Sequence, residues 1–324
     1  MKKTILLTGG AGYIGSIITE VFCNKGYEVI VIDDLSTGNK KAVDNRAFFI
    51  EDDFCGKVIK RLFGRGNVDF VIHLAASAMV SESVTNPSLF YENNTAKTLI
   101  LLQRMVEYGI KNIIFTSTAA VFGEPQYNPM DENHPTIPIC PYGRSKLMVE
   151  QIIKDFSIAY DLNYVIFRYL CVAGASREHG ESRKDETHLI PQVVRKAIYD
   201  DKPLRVFGDG FPTRDGTGTR DYFHVLDIAD AHLLAMEKIE QPKIKNQIFN
   251  LGHERGYSVY EIIHAVESLF GVKINYGIAP PRLGDPSIIV ANTTKAKELL
   301  GWEAKRGIDE ILTSAYNWQK NRPY

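Results

Sequence analysis

The chain reads as a doubly wound α/β fold, a parallel sheet with helices on both faces, joined to a smaller mixed α/β lobe on its C-terminal side. Three observations predict this. The apolar run Ile5-Leu-Leu7 leads into glycines at positions 9, 12 and 15 and then into a helical pattern. Further apolar runs at 69–74, 112–116 and 164–167 are separated by helical patterns, notably 87–108 and 142–160. Continuous apolar strands alternating with helices are the signature of a parallel sheet buried on both faces. After Gly174 the alternation gives way to a charged stretch through Glu186, a helical segment from Leu189, the run Leu204-Arg-Val-Phe207 and a Gly-Asp-Gly turn.

Taken in order, each element of the first part points at a ligand. Gly9, Gly12 and Gly15 let a strand-to-helix turn close tightly and let the backbone approach a pyrophosphate seated on the helix N-terminus. The second apolar run, 27–32, ends in Asp33. An acid at that tip accepts hydrogen bonds from the adenosine ribose and repels a 2′-phosphate, which favours NAD over NADP. Asp53, with Phe54 beside it, follows the next segment and is placed to meet the adenine. Ala75 and Ala76 supply small residues where the strand over 69–74 passes the pyrophosphate or the nicotinamide ribose, while His73 belongs to the edge of the core. Thr118 closes Thr116-Ser117-Thr118 at the end of the strand over 112–116, where a hydroxyl can share a hydrogen bond with a substrate oxygen. We expect a Rossmann-type NAD-binding domain over residues 1–170 and a substrate lobe over 171–324, with some C-terminal elements returning to the first.

Tyr142 and Lys146 carry the chemistry. Residues four apart on a helix share a face, so Lys146 can sit beneath the Tyr142 ring. Free tyrosine ionises near pH ~10. A cation beside it, and a positively charged nicotinamide, favour the phenolate. A tyrosine tuned in this way can take a proton from an alcohol while hydride leaves the same carbon. The order hydroxyl, tyrosine, lysine (Thr118, Tyr142, Lys146) is the one this chemistry requires.

Composition narrows the classes. With 324 residues and a net charge of −1, the chain can bury a substantial core, and its interspersed charges form neither a nucleic-acid groove nor a polybasic membrane patch. The apolar stretch after Lys3 stops at Gly9, too short for a signal peptide or a membrane span. Cys23, Cys55, Cys140 and Cys171 are scattered, as expected of reduced thiols in a cytoplasmic protein. The eight histidines show no metal-binding spacing, so no metal site is expected.

Seven stretches extend the reading over nearly the whole chain: TGGAGYIG at 8–15, IDDLSTG at 32–38, VIHLAA at 71–76, TSTAAVFG at 116–123, PYGRSKLMVEQ at 141–151, DGTGTRDYFHVLDIADAH at 215–232 and FNLG at 249–252. On these the chain resembles the UDP-glucose 4-epimerase family of the extended short-chain dehydrogenase/reductase superfamily. The resemblance implies interconversion of UDP-glucose and UDP-galactose with bound NAD. It implies cofactor contacts from Gly9, Gly12, Tyr13, Ile14, Gly15, Asp33, Asp53, Leu74, Ala75, Asn93, Lys146 and Tyr169, and Thr118 with Tyr142 as the catalytic pair. For the nucleotide sugar it implies Leu189, Phe207, Arg220 and Asp285, with Arg282 on the phosphates, where a guanidinium fork is apt. Ile289 falls at the position that limits room for a 2-acetamido group. A homodimer formed through the helices at 87–108 and 142–160 is also implied.

The chain departs from the family pattern in three places. Thr118 stands for the usual serine, Ala78 for a lysine that helps retain NAD, and Leu170-Cys171 for Phe-Asn. The thiol of Cys171 is a weak donor at a substrate position. Other functions on the same fold are a sugar-nucleotide dehydratase, an epimerase of UDP-N-acetylglucosamine or UDP-glucuronate, and a non-catalytic NAD sensor. Ala119-Ala120 lack the acid pair a dehydratase needs, a uronate enzyme needs a cation facing the C6 carboxylate, and a sensor tends to lose the tyrosine or lysine retained here.

Overall fold

The computed structural model describes residues 3–183, 186–199, 202–282 and 285–324. The first half runs β1 (Thr4–Thr8), α1 (Tyr13–Asn24), β2 (Glu28–Asp33), β3 (Phe48–Glu51), α2 (Lys57–Phe63), β4 (Phe70–His73), α3 (Val80–Thr85), α4 (Pro87–Phe90), α5 (Lys97–Glu107), β5 (Asn112–Thr118), α6 (Pro141–Tyr160) and β6 (Asn163–Tyr169). A π-helical turn at Tyr91–Ala96 joins α4 to α5. The second half runs β7 (Cys171–Ala173), α7 (Leu189–Tyr199), β8 (Leu204–Phe207), β9 (Thr219–His224), α8 (Val225–Lys238), β10 (Gln247–Leu251), β11 (Gly256–Ser258), α9 (Val259–Phe270), β12 (Tyr276–Ala279), β13 (Ile288–Ile289) and α10 (Ile308–Asn321).

Seven parallel strands form the main sheet in the order β10-β6-β5-β4-β1-β2-β3. Successive side chains along a strand face opposite sides, and the core divides accordingly. Ile5, Leu7, Val29 and Val31 face a layer with Ile18 and Phe22 of α1 and Ile228 of α8. Leu6, Ile30, Ile32 and Val71 face the other layer, with Ile59, Leu101 and Ile153 from α2, α5 and α6. Both layers are apolar and buried, which is why these strands read as unbroken apolar runs.

Strand order reverses between β1 and β4. The loops leaving their C-terminal ends diverge and open a crevice, the usual ligand position in such sheets. β10 pairs with β6 from Val165↔Gln247 to Tyr169↔Leu251, so the sheet draws on chain well beyond residue 170. The remaining strands build the smaller lobe: β9 lies between β11 and β13 and also pairs with β7, and β8 pairs with β12. Its own core gathers Ile190, Val193, Val206, Ile262, Ile263, Ile311 and Leu312. Among the described residues no helix is long and apolar enough to cross a membrane, and no group of three or more His, Cys, Asp or Glu is placed to hold a metal ion.

Candidate active site

The crevice begins with the glycine turn. Gly9 adopts φ +76°, and a Cβ there would lie 2.6 Å from the Ala75 amide nitrogen. A Cβ on Gly15 would lie 2.2 Å from the Gly9 carbonyl oxygen, so the turn closes only with glycine at both positions. Gly12 is different, because a Cβ on it would meet nothing nearer than that carbonyl, at 3.4 Å. The protein itself does not require Gly12 to lack a side chain. The space it leaves lies at the N-cap of α1, where unpaired helix amides await an anion. This is the cradle a dinucleotide pyrophosphate fits. Tyr13 leans over it, its hydroxyl donating to the Gly174 carbonyl (2.5 Å), while Ile14 packs on the core below.

Asp33 stands at the tip of β2, half-buried. Its carboxylate accepts from Ala11 N–H (3.0 Å) and Leu35 N–H (2.9 Å), which ties it to the glycine turn and leaves further lone pairs open to a ribose. Asp53 lies beyond the neighbouring β3, paired with Lys97 (2.7 Å) and accepting from Cys55 N–H (3.0 Å). The Phe54 side chain is turned inward: it is 7% exposed and its ring meets His73 edge-on within the core, so any contact with the cofactor falls to its backbone. An aromatic ring between two buried layers gains more there than in a ligand crevice.

At the end of β4, the amides of Leu74 and Ala75 donate to the Thr8 carbonyl, and the half-buried stretch through Ala76 borders the crevice. His73 is fully enclosed. Thr98 gives its proton to the Asn94 carbonyl, so its oxygen accepts from His73 Nε2 (2.8 Å) and Nδ1 accepts from Thr8 (2.7 Å). Burial holds this imidazole neutral, with its pKa pushed down to about 3. Asn93 donates to Ser77 Oγ (3.2 Å) at the crevice edge. Its neighbour Asn94, which sequence reasoning passed over, ties Ser77 to Ser145 of α6 by side-chain hydrogen bonds of 2.8–3.0 Å. No motif marks it; an Asn-Asn pair in an apolar helix was the available signal.

Thr118 and Tyr142 meet where β5 ends and α6 begins. The Thr118 oxygen accepts from Ala120 N–H (3.1 Å), which leaves its hydroxyl proton free, and the Thr118 hydroxyl is close enough to the Tyr142 phenol to act on its ionisation. Burial pushes Tyr142 up to about 12, opposed by Thr118 and by Arg183. Lys146 lies one turn further along the same helix. It is 2% exposed, its ammonium donates to the Thr116 carbonyl (2.9 Å), and it lies over the Phe115 ring, 4.8 Å from the centroid. Burial lowers its pKa to about 7, with Glu150 acting against that shift. A lysine this enclosed takes the carbonyl that can satisfy it, and one of its three ammonium protons is committed to Thr116. Tyr169 is likewise turned inward. Its hydroxyl lies 3.0 Å from His232 Nε2 and 3.4 Å from Thr116 Oγ1, so its side chain belongs to the support of β5 rather than to the crevice.

The smaller lobe brings most of the remaining predicted residues together. Arg220 forms an ion pair with Asp285, and both act electrostatically on the Cys171 thiol, which burial pushes up to about 11. Ile289 pairs in register with Arg220 across β13 and β9, so the two side chains share one face of the sheet. Arg282 lies over the Phe207 ring at 4.1 Å. Leu189, the first residue of α7, packs on this lobe's core. The stretch 215–224 is mainly a fastening. Asp215 accepts from Thr217 N–H (2.9 Å) and binds Ser258 Oγ, and Asp221 accepts backbone N–H from His253, Glu254 and Ala291.

A family model described as the NAD dependent epimerase/dehydratase family matches residues 5–252. The chain is 41% identical to UDP-glucose 4-epimerase of Lacticaseibacillus casei, over 99% of this chain and 98% of that one. It superposes on a crystal structure of UDP-glucose 4-epimerase from Bifidobacterium longum in complex with NAD+ and UDP, with a TM-score of 0.94, 37% identity and 99% of each chain covered. It is also similar to the UDP-Glc/GlcNAc 4-epimerase from Campylobacter jejuni, with a TM-score of 0.85 and 38% identity over 98% of this chain and 99% of that one.

Proposed function

Because the chain belongs to the NAD dependent epimerase/dehydratase family, we propose that it interconverts UDP-glucose and UDP-galactose by reversible oxidation at C4 with NAD bound. The observation that carries this reading is the glycine turn closed only by Gly9 and Gly15 with Asp33 tied to it, together with Thr118 acting on the Tyr142 phenol and Arg220, Asp285 and Cys171 gathered on the smaller lobe. Gly12 and the α1 amides hold the pyrophosphate and Asp33 the adenosine ribose, while Asp53 lies toward the adenine. NAD supplies the acceptor and donor of the C4 hydride. Tyr142 takes the C4 hydroxyl proton and later returns it, and Thr118 shares the bond to that oxygen. Arg220 and Arg282 anchor the diphosphate. The 4-keto sugar must turn over between the two half-reactions, so binding energy belongs on the nucleotide, where contacts survive the turn.

The test is incubation with UDP-galactose and no added cofactor. UDP-glucose is expected to form with no net NADH, because the hydride is borrowed and returned. Stoichiometric NADH would sink the reading in favour of a dehydrogenase. The same assay with UDP-N-acetylgalactosamine examines Ile289. Isoleucine is smaller than tyrosine but stiff at Cβ, so the acetylated sugar is expected to turn over less efficiently, and Ile289→Tyr to remove that activity alone. An unchanged ratio of the two activities would place Ile289 outside the pocket.

We also infer a homodimer. Helices α4, α5 and α6 pack together and leave Leu89, Met148 and Ile158 exposed, the last at 86%. Apolar side chains left in water on neighbouring helices support an association face. Light scattering at micromolar protein is expected to give twice the chain mass, and a monomeric mass would reject the dimer.

A further inference from the structure

We propose that residues 174–183 form a strap across the cofactor crevice, and that Trp318 and Tyr324 are the positioning residues that hold it shut over bound NAD. The inference rests on the NAD part of the functional reading above and is independent of which sugar turns over.

The crevice lies between the loops that leave β1 and β4, and the strap is bonded to both lips. It leaves β7 at Gly174, whose carbonyl receives the Tyr13 hydroxyl (2.5 Å) beside the pyrophosphate cradle. Ser176 Oγ donates to Glu20 of α1 (2.5 Å) and accepts from His179 N–H (2.9 Å), which fastens the strap along that helix. On the far lip Arg183 Nη1 donates to Sδ of Met79 (3.5 Å), the residue that heads α3 beyond the end of β4. A segment tied to the helix after β1 and to the helix after β4 lies across the space between them. A ligand on the Gly12 cradle stays covered on this side until those contacts part.

The strap does not stiffen itself. Residues 174–183 contain no helix or strand, and the contact at Met79 is weak because sulfur is a poor acceptor. Its support comes from α10 and the residues just after it. Gly180 lies against the Trp318 indole, where a Cβ would come within 2.5 Å of the ring. The indole N–H donates to the Glu181 carbonyl (2.8 Å). The Tyr324 hydroxyl lies 3.0 Å from His179 Nδ1, and its ring meets the indole edge-on at 5.1 Å. Ala175 N–H donates to Ser314 Oγ (3.2 Å). Trp318 is buried, so its N–H and the Glu181 carbonyl lose more than an exposed pair would when they part. A hydride that is borrowed and returned needs one NAD kept through many turnovers, and the strap serves that retention.

The test is exchange of bound NAD for isotope-labelled NAD, followed by rapid gel filtration with no sugar nucleotide present. Tyr324→Phe removes one hydroxyl and Trp318→Phe removes the indole N–H. Each is expected to speed exchange roughly threefold to tenfold, the weight of one hydrogen bond. Trp302→Phe is the control. Its indole donates to the Asp227 carbonyl at the same 2.8 Å but packs in the core beside α8, so exchange should match the wild type. Unchanged exchange in either strap variant overturns the proposal. So does equal acceleration in Trp302→Phe, which would show that general loosening releases the cofactor. Should Trp318→Phe fail to fold, Tyr324→Phe decides alone. A wild-type chain that keeps no NAD through gel filtration also overturns the proposal. If exchange quickens in the strap variants while UDP-galactose is never turned over, the functional reading falls and the strap stands.

Discussion

Tyr142→Phe is expected to slow UDP-galactose turnover by about 10²–10⁴-fold, the range typical of losing a positioned acid–base group. The change deletes one oxygen and keeps the ring that meets Phe90 edge-on at 6.3 Å, so α6 keeps its packing. The affinity for UDP should be unchanged, because the nucleotide groups gather on the smaller lobe, away from the phenol. Single-turnover rates and UDP titration on the same sample separate the two quantities. A variant retaining more than half its activity would mean that another group removes the proton. The Thr118 hydroxyl, whose oxygen is held by Ala120 N–H and whose proton is free, is the place to look next.

The second large effect concerns stability. Behind Lys146, Glu150 of α6 accepts from Arg168 Nε (3.0 Å), Arg168 Nη2 (2.7 Å) and Ser117 Oγ (2.6 Å). Glu150 is wholly buried and Arg168 is 3% exposed, with the guanidinium 4.9 Å from the Phe122 ring centroid. Arg168→Met strands a carboxylate in the core, and unfolding free energy should fall by about 3–5 kcal/mol. Arg168→Met combined with Glu150→Leu should recover most of that loss, since two apolar groups need no partners. Denaturant melts of both variants, read as a cycle, decide the matter. Equal losses in the single and double variants would show that the charge pair is not what holds α6 to the sheet.

Much of the first domain was legible because its signals are local. The glycine turn, the acid closing β2 and the paired apolar layers are written in neighbouring residues. What was not legible was settled by tertiary packing. Spacing puts Tyr142 and Lys146 on one helix face, but which acceptor the ammonium takes depends on where β5 ends, and it takes the Thr116 carbonyl. Phe54 follows β3 and Tyr169 closes β6, positions where ligand-facing residues also sit, yet their rings turn into the core. Gln247–Leu251 reads as one more short apolar run, and its place beside β6 is a property of the sheet rather than of those five residues.

That pairing has a consequence during synthesis. β6 is finished long before its neighbour, and the Tyr164 amide waits for the Asn246 side chain, 82 residues later. At about 5–20 residues per second, the ribosome leaves this edge without its partner for roughly 4–16 s. Through that interval the nascent chain presents the open edge of β6, where a second chain could add its own strand. The yield of folded protein should therefore depend on translation speed between β6 and β10 more than anywhere else in the chain.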